Sequence, residues 1–301
     1  MSRLIFVELF KLRRRLMTQI LALLVVAFFV AIQVPRWHDQ TRPSVESTSQ
    51  AVPVQKVGPD GETRTFIMVQ PEPAHRSPQE NAALLDEFLK TTFDDNLAVV
   101  RWIAVLFGIV LTAAALGSEY SWGTLRPFLT CVESRTKYLG AKLAALGIVV
   151  LTGMAVAMAL AIASSVVIAV LDGGADLGFV DGAYLQDAFF DFWRTAYSVS
   201  PYLLLTALGA IVGRSALTGA FVGLGLLIAD SIATGVMQGS TTWLRYVPNY
   251  LPGHNVDALV GVRFEDVAPR DPWAAAFVLA AYAFGALAIT LWVFHRRDVT
   301  A

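Results

Sequence analysis

The sequence predicts an all-α polytopic membrane protein with six transmembrane helices. Of its 301 residues, 55% are hydrophobic and 16% are charged, whereas soluble domains average about 25% charged residues. Six apolar runs approach the length of roughly 20 residues that a helix needs to cross the hydrocarbon core of a bilayer. We place these spans at residues 16–34, 97–117, 143–171, 199–213, 216–236 and 272–294.

The distribution of charge predicts the orientation of these spans. Six spans place both termini on one side, and the segments on that side hold 12 basic and 4 acidic residues. The opposite side holds 11 basic and 19 acidic residues, with Asp230 inside the fifth span counted on neither side. Loops rich in Lys and Arg remain in the cytoplasm. We therefore expect both termini, including the tail at 295–301, to be cytoplasmic in a bacterial or archaeal cell membrane.

Residues 1–15 precede the first predicted span and form an amphipathic pattern. The apolar face consists of Leu4, Ile5, Val7 and Leu9. Glu8 and Lys11 lie opposite that face, and three arginines follow at 13–15. This pattern favours an interfacial helix along the cytoplasmic surface. A plain cytoplasmic extension of the first transmembrane helix is equally compatible with the periodicity.

Residues 35–96 are the largest predicted extracytoplasmic segment. Seven of the 13 prolines lie at 35–78, which indicates irregular chain. Residues 51–57 and 62–69 flank a Gly-Pro-Asp-Gly sequence and predict a β-hairpin. A capping box at 77–80 then predicts a helix that continues into the second span. Arg101, near the outer end of that span, is expected to extend its charge to the membrane surface.

Two further segments, 172–198 and 237–271, are predicted to lie outside the membrane. In the first, Leu185, Phe189 and Trp193 share one face of a helix, which is typical of an aromatic-rich helix in the outer interface. The second contains several aromatic residues and prolines. From its sequence alone, a piece that dips into the membrane and a surface loop are both compatible.

No pattern of catalytic residues is present in the sequence. It contains neither the phosphate-binding G-x-x-x-x-G-K-[ST] loop nor H-E-x-x-H, and its four histidines lie outside the predicted spans. We therefore expect no enzyme activity, no metal site and no cofactor bound by this chain. Nothing in it suggests a nucleic-acid partner.

Asp230 is the one acidic residue deep within a predicted span. A carboxylate at mid-bilayer costs about 2.5 kcal/mol or more, so it should face protein or a water-filled cavity. Asp230 could line a substrate path or carry a proton. The alternative is a position near the outer interface, with hydrogen bonds to Ser231 or Thr234.

Two glycine pairs have the spacing that permits close helix contact. They are Gly209 with Gly213 and Gly219 with Gly223. These positions could form a face between two copies of the chain. Packing between helices of a single bundle is the alternative.

Residues 118–142 form a long polar interruption between two predicted spans. It contains four basic residues and two acids. Leu125, Phe128, Leu129 and Val132 follow the spacing of one helical face. Thr124 is a suitable N-cap, and Pro127 then falls in the first turn, where its missing N–H costs little. The pattern predicts a short amphipathic helix on the basic, cytoplasmic side.

The order of residues in this interruption resembles the first cytoplasmic loop of ABC-2 type transporter permeases. The matching positions are Glu119, Gly123-Thr124-Leu125-Arg126, Leu129, Arg135 and Lys142, with weaker matches at Glu8-x-x-Lys11 and Phe294-x-x-Arg297-Asp298. In that family the loop is a coupling helix that docks into a separate ATP-binding subunit.

The resemblance implies a permease subunit that pairs with a second permease subunit and forms the substrate pathway between them. ATP and Mg would be bound by the partner ATP-binding subunit, and export would be the direction of transport. The implied contact residues are Glu119, Gly123, Thr124, Leu125, Arg126, Phe128 and Leu129. Glu119 would offer its carboxylate to a basic group on the partner or on the adjacent inner helix. Because Glu119 and Gly123 lie outside the predicted spans, substitutions there should leave membrane abundance unchanged.

A different class of protein is compatible with the same spans. The chain could be an autonomous secondary transporter that uses Asp230 for proton coupling, or a membrane scaffold without transport activity. A single acidic residue within the spans is weak support for ion coupling, and the two halves of the sequence show no inverted symmetry.

Overall fold

The computed structural model describes residues 2–14, 18–20, 23, 27, 31, 49–57, 63–71, 78–123, 134–171, 182–238, 243–260 and 271–296. Helices make up most of this part of the chain. The elements are α1 (Ser2–Arg14), β1 (Ser49–Val57), β2 (Thr63–Pro71), α2 (Pro78–Ser121), α3 (Arg135–Leu171), α4 (Gly182–Gly213), α5 (Ala216–Gln238), a 3₁₀ helix (Trp243–Tyr250), α6 (Pro252–Val260) and α7 (Pro272–Arg296).

Five of the described helices are long and apolar enough to cross a membrane. The candidate spans are Asn96–Ser121 in α2, Arg135–Ala163 in α3, Gly182–Gly213, Ala216–Met237 and Pro272–Arg296. The chain is therefore a nearly all-helical, multi-pass membrane protein. The predicted first span at 16–34 lies largely outside the described residues, so the sixth crossing stays a prediction.

The chain divides into two compact units. One unit comprises residues 1–26, 94–159 and 181–301, and the other comprises 27–93 and 160–180. In the second unit β1 pairs antiparallel with β2, so that Ser49 lies opposite Pro71 and Val57 opposite Thr63. β1 begins two residues before the predicted segment 51–57, and β2 begins one residue later and ends two residues later than the predicted segment 62–69.

In the first unit, α4 is a single helix where the sequence predicts an interfacial helix followed by a separate span from Val199. Pro201 lies inside it and cannot donate a backbone hydrogen bond to the Tyr197 carbonyl. The Ser200 hydroxyl donates to that carbonyl at 2.8 Å instead. Because a neighbouring side chain satisfies the carbonyl, the helix continues through the proline.

A tight turn joins α4 to α5. Arg214 adopts a left-handed conformation with φ 51°, and the Ser215 hydroxyl accepts a hydrogen bond from the Leu217 N–H at 3.2 Å, which caps α5. The last turn of α2 and the first turn of α3 lie at the same end of the bundle. We call this the turn end and define it by Ser121, Arg135 and Arg214.

A hydrophobic core at the turn end joins five helices. Its larger buried members are Leu12, Leu111, Leu116, Tyr138, Leu139, Leu146, Ile211 and Phe294. α1 contributes Leu12 and is partly buried at Ile5 and Leu9. Val7 of the predicted apolar face of α1 is exposed. Glu8 is buried instead, where Lys11 Nζ neutralises it at 2.7 Å.

The 3₁₀ helix and α6 pack against α4, α5 and α7. Pro252, His254, Asn255, Val256 and Leu259 of α6 are buried. The Asn255 amide donates to the carbonyls of Leu251 and Asn249, at 2.6 and 3.0 Å. The Tyr282 hydroxyl of α7 donates to the Tyr250 carbonyl at 3.0 Å. Residues 243–260 are thus part of the packed bundle.

Candidate functional site

A buried ion pair joins α2 to α3 at the turn end. Lys142 Nζ contacts Glu119 Oε1, and the two side chains are only 2% and 4% exposed. The Tyr138 hydroxyl donates to Glu119 Oε2 at 2.8 Å. Glu119 and Lys142 lie at opposite ends of the polar interruption at 118–142. The pair therefore ties together the two ends of that segment.

The resemblance implies that Glu119 contacts a partner or the adjacent inner helix. In the structure Glu119 is bonded within its own chain to α3, the helix that follows. Both of its carboxylate oxygens are engaged there and the residue is buried. A substitution at Glu119 would leave Lys142 buried without its partner, so the structure predicts lower membrane abundance, in contrast to the expectation from the sequence.

Gly123 ends the turn that follows α2. It is exposed and has φ 66°, a conformation that a side chain disfavours, and its N–H donates to the Tyr120 carbonyl at 3.2 Å. Thr124, Leu125, Arg126, Phe128 and Leu129 lie outside the described residues. The predicted coupling helix thus remains a prediction, although the points where the chain leaves α2 and enters α3 are described.

A second polar cluster surrounds Asp230 of α5, which is 3% exposed. The Tyr202 hydroxyl of α4 donates to Asp230 Oδ2 at 3.0 Å, and the Gly253 N–H of α6 donates to the same oxygen. Asp230 Oδ1 is buried and has no hydrogen-bond partner among the described residues. A Cβ at position 253 would overlap Oδ2, so glycine permits this close approach.

The predicted partners of Asp230 were wrong. Ser231 instead donates to the Leu227 carbonyl of its own helix at 2.9 Å, and Thr234 Oγ1 has no partner within the described part of the chain. The carboxylate faces the bundle interior, where other helices supply the donors. Asp230 therefore connects α4, α5 and the first turn of α6.

An ion pair between Arg101 of α2 and Asp257 of α6 lies beside this cluster. The guanidinium Nη1 is 3.3 Å from Asp257 Oδ1, and the Arg101 side chain is 7% exposed. The prediction that Arg101 extends to the membrane surface was wrong, because Asp257 provides a partner inside the bundle. Burial raises the pKa of the Asp257 carboxyl, and the Arg101 charge acts in the opposite direction.

The two features meet at a cavity of about 280 Å³, which we call the Arg101 cavity. α2, α4, α5 and α6 all contribute to its wall. The polar lining residues are Arg101, Tyr202, Ser231, Thr234 and Asp257, and the apolar ones include Trp102, Val105, Leu227 and Val256. No group of three or more His, Cys, Asp or Glu that could hold a metal occurs among the described residues. The cavity is thus a mixed polar and apolar pocket between four helices.

Most of the chain, including the Glu119–Lys142 pair and the Arg101 cavity, matches one protein family. Residues 78–300 match the family described as "Protein of unknown function (DUF2705)". This match covers most of the chain. The chain belongs to the DUF2705 family. No curated protein and no solved structure matches it. The match to DUF2705 includes the Glu119 pair and every residue that lines the Arg101 cavity.

In this DUF2705 chain both glycine pairs lie at the contact between α4 and α5. A Cβ at Gly209 would lie 2.8 Å from Val222, and one at Gly219 would lie 2.7 Å from Ala210. A Cβ at Gly213 would meet Thr218, and one at Gly223 would meet Thr206. Packing within one bundle therefore accounts for these glycines without a second copy of the chain.

Several site residues of this DUF2705 chain were not found from the sequence. Tyr202, Gly253 and Asp257 have no local signal, because their role depends on contacts between distant segments. A charged residue in an apolar run shows that a polar partner is needed, but the sequence does not show which residue provides that partner.

Proposed function

We propose that this chain is the membrane-spanning subunit of an ATP-driven ABC transporter, an exporter. In this proposal it pairs with a second permease subunit and is driven by a separate ATP-binding subunit. The multi-pass helical architecture is compatible with such a role. The residue order from Glu119 to Lys142 supports the specific family, since it resembles the coupling loop of ABC-2 permeases.

The observation that carries the proposal is the buried Glu119–Lys142 pair at the base of that loop. A coupling element must move the transmembrane helices when its partner changes state, since a ligand can shift an equilibrium only through different contacts in the two states. If a loop is anchored to both α2 and α3 by a buried ion pair, a displacement of the loop by the ATP-binding subunit would move both helices. A loosely attached loop would deform without moving the helices.

Capture of the tagged chain from its native membrane tests the proposal. We expect a protein with a phosphate-binding loop to copurify, and ATP hydrolysis by the complex to depend on the loop. Gly123→Val should weaken both, because valine is strained at φ 66° by about 1–3 kcal/mol. Gly182→Val is the matched control, since a Cβ at Gly182 would also meet nothing within 4 Å but Gly182 has no positive φ. Capture without any such ATPase, or equal activity of both variants, would refute the proposal.

A second candidate, a proton-coupled secondary transporter, is favoured by one observation. Asp230 is buried beside a cavity and has an unpartnered oxygen within the described structure. Reconstitution of the chain alone in vesicles with an imposed pH gradient separates the two candidates. Substrate movement that follows the gradient, without any ATPase, and that is lost in Asp230→Asn would establish the second candidate.

A further inference from the structure

We infer that the Arg101 cavity binds a small amphiphilic amine, an apolar molecule that carries one protonated amino group. The inference rests on the proposed function only in making this amine the cargo. Charge, unmet hydrogen bonds and the shape of the cavity, all among described residues of α2, α4, α5 and α6, favour such a ligand.

The charges around the cavity leave a negative excess. Arg101 and Asp257 pair with each other at 3.3 Å, so their charges balance. Asp230 adds a second carboxylate behind the part of the wall formed by Tyr202 and Gly253, its two hydrogen-bond donors. The first turn of α6 offsets part of that charge through its backbone dipole. A cation in the cavity would balance the remainder.

Two polar side-chain atoms without a hydrogen-bond partner among the described residues lie on one face of α5. Asp230 and Thr234 are four residues apart, so their side chains project from the same side of the helix. Asp230 Oδ1 and Thr234 Oγ1 are both buried and have no hydrogen-bond partner among the described residues. Thr234 lines the cavity, so its hydroxyl could accept a hydrogen bond from an ammonium group there, while the Asp230 carboxylate behind the wall would attract the positive charge.

The remaining walls suit an apolar body of limited size. Val105, Leu227 and Val256 line the cavity, and the Trp102 indole stands at its edge, 47% exposed. The volume of about 280 Å³ has room for roughly nine waters at about 30 Å³ each, so the ligand should have about ten non-hydrogen atoms.

A series of three probes with one apolar body tests the inference on the purified chain in detergent, without any ATPase. 4-Phenylbutylamine, 4-phenylbutan-1-ol and 4-phenylbutyrate differ only in a positive, neutral or negative end. Isothermal titration calorimetry should show the amine binding at least about tenfold more tightly than the alcohol, as expected for hydrogen bonds to a charged group. The carboxylate should bind most weakly. Equal affinity for all three, or preference for the carboxylate, would overturn the inference.

Variants locate the site. Asp230→Asn should reduce amine affinity at least about tenfold and leave the alcohol nearly unchanged, which also shows that the variant is folded. Thr234→Val preserves shape and should reduce affinity for the amine alone. Asp191→Asn is the control, because it removes a carboxylate that does not line the cavity and that pairs with Arg194 at 2.9 Å on α4. Amine affinity unchanged in both cavity variants would overturn the inference. Amine binding without ATPase copurification would leave this site standing while refuting the proposed function.

Discussion

Glu119→Gln should destabilise the protein far more than a typical substitution in a loop. The change removes the charge that balances Lys142, and both side chains are almost fully buried. Removing one partner of a buried ion pair costs about 3–5 kcal/mol, because the other charge stays buried without compensation. The amide oxygen of Gln can still accept the hydrogen bond from the Tyr138 hydroxyl. The cost therefore arises from the lysine, and we expect it to fall in this range.

The matched control is Glu8→Gln in α1. Glu8 also pairs with a lysine, at 2.7 Å, but the Lys11 side chain is 28% exposed and reaches water. Pairs that are solvent-accessible contribute about 0–1 kcal/mol. Unfolding followed by circular dichroism in mixed micelles, as the fraction of denaturing detergent rises, gives the free energy of unfolding for both variants.

A double-mutant cycle with Lys142→Met isolates the pair itself. If the lysine is the source of the cost, Glu119→Gln with Lys142→Met should be more stable than Glu119→Gln alone, since no buried charge remains. The reasoning fails if Glu119→Gln costs no more than Glu8→Gln, or if Lys142→Met gives no recovery.

Three further predictions concern the rest of the molecule. Gly253→Ala should lower the free energy of unfolding by about 1–3 kcal/mol, because the added Cβ would displace the buried Asp230 carboxylate from the Gly253 N–H. Unfolding experiments on this variant and on the control Gly235→Ala, whose Cβ meets nothing within 4 Å, measure the difference, and equal costs would contradict the prediction. Asp230→Asn should leave ATP-driven transport intact apart from substrate preference, as measured in reconstituted vesicles; complete loss would instead favour a proton carrier. Cys131, outside the described residues, should react in intact cells with a membrane-permeant thiol reagent, and with an impermeant reagent only after the membrane is opened. Labelling of intact cells by the impermeant reagent would overturn the orientation predicted from the charges.

The five long helices could be predicted because each contains an apolar run of sufficient length, a local property, whereas the 3₁₀ helix and α6 could not. The limits of the runs were less certain where local rules conflict. The short fourth run, 199–213, gave no sign that its helix begins at Gly182. The residues before it are amphipathic, and the helix continues through Pro201 with the Tyr197 carbonyl satisfied by Ser200.

The candidate site could be predicted only at its most conspicuous residues. Asp230 and Arg101 stand out because charge in an apolar segment is costly. Their partners, Tyr202, Gly253 and Asp257, come from segments that the fold brings together, and periodicity carries no such information. The Glu119–Lys142 pair was visible only as two charges of opposite sign flanking one loop.

The length of α4 determines how the bundle rests in a bilayer. At about 1.5 Å per residue, its 32 residues extend about 48 Å, whereas the 23 residues of α5 extend about 35 Å. The two helices share the tight turn at Arg214, so the surplus of α4 projects from the opposite end. That surplus carries the exposed rings of Phe189 and Phe190, and the exposed Trp193 follows within the next turn. Aromatic rings favour the headgroup layer. We therefore expect the rings to hold the turn end at a fixed distance from the membrane surface on their side, so that bilayers of different thickness change how far the turn end lies from the surface on its own side.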